Sequence, residues 1–142
     1  MIKQPRIEPH PEKIGYYVLL EDFTYEWNAE DFDRKLFIEK GFVFDLASVP
    51  RIFWTPTGIT PDRLRWTAPL CHDFPYHHKG KLPPGSYFKK INGKWVEDRT
   101  KWTRKSADRL FCRIMREDEI QRWKRRMAYR AVRIGGYIAW NT

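Results

Sequence analysis

Apolar positions alternate with polar ones through the first third of the chain and recur at helical spacing through the last. "GYYVLLEDFTYEW" (15–27) and "KLFIEKGFVFDLASVP" (35–50) are rich in β-branched and aromatic residues, and the second stretch turns at Lys40 and Gly41, which predicts strands. "YFKKINGKWVED" (87–98) sets Asn92-Gly93 between two strand-like runs. A type I′ turn needs positive φ at both central residues, so this stretch predicts a hairpin. Between these regions, Thr60 followed by Pro61 has the form of an N-cap with proline at the first helical position. That predicts a helix through "PDRLRWTA" which Pro69 ends or kinks, followed by a short helix carrying "LCHDF". From Thr103 or Ser106 a longer helix runs to Glu117, with Leu110, Phe111, Ile114 and Met115 as its apolar stripe and Arg109, Arg113 and Arg116 outward. Asp118 and Gln121 have capping-box spacing. Beyond them Ile120, Trp123, Met127, Ala131, Ile134 and Ile138 recur as the stripe of a last helix, which Gly135-Gly136 ends or loosens. The order of strands, short helix, hairpin and two helices predicts an α+β fold, without the alternation of a parallel sheet.

Residues 1–13 hold three prolines among charges and predict an extended arm suited to docking on a neighbour; 14–142 form a single domain. At 142 residues the chain can bury a sizeable core without disulfide or metal. Lys and Arg outnumber Asp and Glu by 27 to 18, a net charge of +9, which favours polyanions such as nucleic acid, anionic lipid or acidic protein surfaces. Cys71 and Cys112 fit no zinc-ribbon or redox spacing and read as reduced thiols, hence a cytosolic origin. "MIKQPRIEPHPEK" lacks the apolar core of a signal peptide, and no stretch of some 18 apolar residues predicts a membrane span.

Ionisable side chains interrupt the apolar pattern at three places. Asp45 follows an apolar strand: it either accepts backbone hydrogen bonds at a strand end, with Ser48 and Pro50 just beyond, or serves as a ligand or base. His72 and Asp73 point about 100° apart on a helix, so the imidazole can face a pocket while a nearby carboxylate fixes its tautomer. His77 and His78, beside Lys79 and Gly80, read as an exposed loop. Asp108 falls at the flank of the Phe111-Ile114 stripe and faces the body of the protein, where it needs an arginine, a helix start, or His72 directly or through an ion. An Asp45, His72, Asp108 set completed by water suits Zn²⁺, Mn²⁺ or Fe²⁺, and a metal-bound water is a usable nucleophile near neutral pH. HExxH, CxxC, Walker and GxSxG motifs are absent, and Ser48 and Cys71 have no visible base. The histidine–aspartate dipeptide of all-helical phosphohydrolases is also present, but the only upstream histidine, His10, lies in the arm. On the last helix Arg122, Arg126, Arg130 and Arg133 fall within about 80° and form either a solvated face or an interaction surface. Trp54, Trp66, Trp95, Trp102, Trp123 and Trp140 exceed what one core hides, which predicts that some lie at an interface.

"GFVFDLASVPRIFW", "LCHDFPYHH", "SADRLFCRIM" and "MAYRAVRIGGYIAW", in this order, resemble the bacterial and phage family catalogued as domain of unknown function 1353. Asp45, Ser48, Pro50, His72, Asp73, Tyr76, Asp108 and Gly136 match its pattern, while Phe44 stands in place of a threonine and Pro75 in place of a leucine. The first departure removes a hydroxyl from the polar centre, and the second stiffens the segment that presents Tyr76. The resemblance implies a viral origin and brings no activity with it.

These readings lead to a virion component of tail, baseplate or neck, made in the host cytoplasm and assembled in several copies with other virion proteins. Its Asp45-His72-Asp108 centre, with Ser48, Asp73 and Tyr76 as a supporting polar shell, is structural or holds an ion. The alternative is a small metal-dependent hydrolase acting on cell-envelope or nucleic-acid substrates, with Asp73 orienting His72. Nucleic-acid binding rests on charge alone.

Overall fold

A computed structural model describes residues 3–45 and 66–141, and shows seven strands and three helices among them. Strands β1 (Ile7–Pro9), β2 (Tyr16–Leu19) and β5 (Val43–Asp45) form one antiparallel sheet in the order β1-β2-β5. A second antiparallel sheet, in the order β3-β4-β6-β7, is built from β3 (Phe23–Asn28), β4 (Asp33–Ile38), β6 (Tyr87–Ile91) and β7 (Lys94–Glu97). The helices are α1 (Thr67–His77), α2 (Arg104–Glu117) and α3 (Arg122–Asn141). The fold is α+β, as the order of patterns predicts.

The hairpin forms at the expected place: Asn92 and Gly93 have φ of 51° and 78°, the two positive values a type I′ turn requires. The turn near Lys40 and Gly41 also forms, yet the strands it joins do not pair with each other. β4 enters the four-stranded sheet and β5 the three-stranded one, so the chain crosses between sheets at Gly41, whose φ is 91°. The proline-rich arm is extended but docks on its own chain. Ile7 to Pro9 pair with Leu19 to Tyr17, the Thr67 hydroxyl donates to the Lys3 carbonyl at 2.7 Å, and Gln4 Nε2 donates to Asp118 Oδ1 at 3.2 Å.

Three helix expectations need correction. The segment around Thr60 and Pro61, like Ser48 and Trp54, lies outside the described residues, and α1 runs unbroken through both Pro69 and Pro75. Pro69 sits in the first turn, where its missing N–H has no intrahelical partner to lose. Asp118 does not cap α3; it is the C-cap of α2, its N–H directed to the Ile114 carbonyl at 2.9 Å. Thr103 is the N-cap of α2, accepting from Ser106 N at 3.1 Å.

The third correction concerns which side of α3 is buried. The helix continues through Gly135-Gly136 and seats its small residues, Ala128, Ala131, Val132 and Gly136, against the body. Trp123, Met127 and Ile134 of the expected apolar stripe are 50%, 39% and 81% exposed. Small residues let the backbone of α3 approach α1 and α2 closely, and the large apolar side chains are thereby turned outward. Trp102 is buried and Trp66 and Trp140 pack against the core, so Trp123 is the exposed member of the expected interface set among the described residues.

The core joins Leu19, Phe23, Tyr25, Leu36, Ile38 and Phe44 of the sheets to Leu70, Phe74, Phe111, Ile114 and Met115 of the helices. Nine of the eleven residues of α1 are buried. A helix without a polar face has to lie inside, and any ionisable group on it needs its partners there.

Candidate functional site: the Asp108 centre

His72 is one turn before Tyr76 on α1, so both side chains leave the same face. Across from them, α2 presents Asp108 one turn after Arg104, and α3 contributes Arg133. His72 and Asp108 have no solvent exposure. The Asp108 Oδ1 atom accepts from His72 Nε2 at 2.6 Å and from the Tyr76 hydroxyl at 2.6 Å. Oδ2 accepts from Arg133 at 2.9 Å and faces the Arg104 guanidinium at 3.6 Å. Arg104 also donates to the Arg133 carbonyl at 2.8 Å and to that of Val132 at 3.3 Å. One carboxylate thus links three helices, accepting three hydrogen bonds and facing a fourth, cationic group.

Burial alone would raise the Asp108 carboxyl, but hydrogen bonds from His72, Tyr76 and Arg133 outweigh it and hold the group below the ordinary aspartate range. Burial also pushes His72 below its ordinary value, against the pull of the Asp108 carboxylate. The pair is therefore an ionised aspartate and a neutral imidazole. Because a carboxylate only accepts, the imidazole proton resides on Nε2, leaving a bare lone pair on Nδ1. Nδ1 is buried and has no hydrogen-bond partner among the described residues. Tyr76 is pushed up by burial and by Asp108, so it remains a phenol and a donor.

Among the expected site residues, His72, Tyr76 and Asp108 are brought together. The carboxylate that orients His72 is that of Asp108, not the half-buried Asp73. Their direct 2.6 Å hydrogen bond leaves no space for an ion between them, and no group of three His, Cys, Asp or Glu among the described residues could hold a metal. The backbone of Asp45 pairs with Tyr16 at the end of β5. Its side chain and Ser48 lie outside what the structure describes. Arg133, expected on the outer face of α3, turns inward to Asp108. Arg104 was not anticipated, although its i,i+4 spacing to Asp108 was a readable signal. His77 is exposed, as expected, whereas the half-buried His78 packs edge-on against Phe74.

Gly136 explains how the centre closes. A Cβ at this position of α3 would overlap the Tyr76 hydroxyl, so glycine lets the phenol reach Asp108 beneath the helix.

The family model of a protein of unknown function, DUF1353, matches residues 17–132. The chain belongs to the DUF1353 family. Its matched span contains His72, Tyr76, Arg104 and Asp108, and ends at Val132, one residue before Arg133. No curated protein and no solved structure matches the chain.

A histidine whose folded pKa is depressed binds fewer protons folded than unfolded, so its contribution to stability is complete above the unfolded value and is lost as pH falls through the folded one. For His72 that window opens below 6.5. The expected result is a decline in urea-unfolding free energy below pH 6.5, with a slope of up to about 1.4 kcal/mol per pH unit from this one group. His78 is also lowered by burial, and contributes to the same window. His72→Gln separates the two: the variant should lose most of the slope, and an unchanged profile would remove His72 as its source.

Proposed function

We propose that this DUF1353 protein is a non-enzymatic structural component of a phage particle, in tail, baseplate or neck, with the Asp108 centre as an internal fastening. The observation that carries the non-catalytic part is the state of Asp108: zero exposure, both oxygens engaged, and partners drawn from α1, α2 and α3. A carboxylate so buried and engaged is not presented to a substrate. Placement in a particle is supported by the bacterial and phage character of the family it resembles. Mass spectrometry of purified particles is the test. The protein should be present at stoichiometric levels, and its absence from particles would end this reading.

One observation favours a second reading, a metal-dependent hydrolase. A neutral histidine that donates one nitrogen to a carboxylate and keeps the other bare is the arrangement of a metal ligand or general base, and His72 Nδ1 has that form. His72 could supply one ligand to Zn²⁺, Mn²⁺ or Fe²⁺, whereas Asp108 could only orient it. Elemental analysis of the purified protein and of His72→Ala distinguishes the readings. Stoichiometric metal lost on substitution, with the fold kept, supports the hydrolase; a destabilised, metal-free variant of a metal-free parent supports the structural role.

A further inference from the structure

Helix α3 carries Arg122, Lys124, Arg125, Arg126, Arg130 and Arg133 and not one acidic residue. Where its first turn meets the end of α2, Arg116, Arg122, Arg125 and Arg126 surround a hollow of about 410 Å³ whose remaining lining residue is Cys112. Four guanidinium groups without a carboxylate among them repel one another, and an anion entering the hollow relieves that repulsion. Along the same helix Trp123, Met127, Ile134 and Tyr137 are 50%, 39%, 81% and 62% exposed. At about 100° per residue they fall in one sector, with Arg130 inside it and Arg126 at its edge. The occupant of this face must therefore be both anionic and apolar.

We propose that α3 is an interfacial helix that seats the protein on an anionic phospholipid bilayer, the arginine hollow taking a lipid phosphate and the apolar stripe entering the headgroup boundary. Self-association is disfavoured by charge, because a second copy would set its acid-free, arginine-bearing stripe against an identical one. Duplex nucleic acid offers phosphate but no use for Ile134 and Met127. The stripe lies along the convex outside of a helix about 30 Å long, so a protein partner would have to supply a groove, whereas a bilayer needs none. Tryptophan and tyrosine near opposite ends of the stripe, with arginine beside it, are the residue types of a membrane interface. This seat is independent of the role of the Asp108 centre.

The test is flotation of the full chain with phosphatidylcholine vesicles containing or lacking about a third phosphatidylglycerol. Binding is expected only to the anionic vesicles and should weaken at high salt. Arg122→Glu with Arg126→Glu should weaken it by more than about tenfold. Ile134→Asp should also release the protein. These positions are on the surface, and thermal melts of the variants verify that the fold is kept. No flotation with anionic vesicles, or flotation undiminished by Ile134→Asp, would overturn the proposal. So would a dimer that forms through the stripe in preference to vesicle binding, or tighter binding to duplex DNA that ignores Ile134→Asp.

Discussion

Replacing Asp108 with alanine is expected to cost about 3–5 kcal/mol of folding stability, the largest effect of any single change in the centre. The deletion removes one carboxylate but leaves a buried imidazole N–H, a phenol and the Arg133 guanidinium without their acceptor, and Arg104 without its counter-charge. Most of the cost comes from these stranded donors, since a buried donor without an acceptor loses its hydration and gains nothing in return. For a domain of this size the melting temperature should fall by about 10–15 °C. Asp108→Asn is informative because it keeps the shape. The amide must turn its NH₂ toward either the histidine–tyrosine pair or the arginines, so it should lose much of the same stability despite near-identical volume. Chemical denaturation of both variants checks the expectation. A loss below about 1 kcal/mol for the alanine variant would place the centre outside the forces that hold the helices together.

Gly136→Ala is expected to be the second-largest change, at about 3 kcal/mol, although it adds a single methyl group. Insertion into a packed site commonly costs about 1–3 kcal/mol. Here the methyl would also displace the Tyr76 hydroxyl from Asp108, adding about 1 kcal/mol or more for the lost hydrogen bond. Its neighbour is an internal control. A Cβ at Gly135 meets nothing within 4 Å, so Gly135→Ala should be neutral or should stabilise the exposed helix by up to about 1 kcal/mol. Opposite signs at adjacent glycines would locate the close approach of α3 to Tyr76. Similar effects at both would mean that helix propensity, rather than contact, governs this segment.

The legible parts of the fold were those fixed by local chemistry. Asn92-Gly93 dictates its turn through backbone sterics and stands where the sequence placed it, and of the two helix starts the sequence offered, Thr103 and Ser106, the hydroxyl of Thr103 makes the cap. The stripe of α2 was readable because only one of its faces is buried. On α3 the same reasoning held only in part: Ala131 and Ile120 of the expected stripe face the body, while Trp123, Met127, Ile134 and Ile138 are exposed. Periodicity reports that a helix has two faces, but which face turns inward depends on what it packs against, and close packing on the body took Ala128, Ala131 and Gly136 inward, Gly136 against Tyr76 of α1. The pairing of β5 with β2 rather than β4 was likewise invisible, because register across a sheet is a long-range choice. In the centre, the inward direction of Asp108 followed from its place beside the Phe111-Ile114 stripe. Arg133 did not, since its angular position matched the exposed arginines and only the docking of α3 distinguishes it.

The arm that folds back on its own chain has a consequence for biosynthesis. Gln4 receives the Thr67 N–H at 3.3 Å and donates to Asp118, a carboxylate 114 positions downstream. Gln4 cannot reach Asp118 until α2 has left the ribosome, so latching of the arm onto the end of that helix is a late event, and the nascent chain waits with this contact unmade.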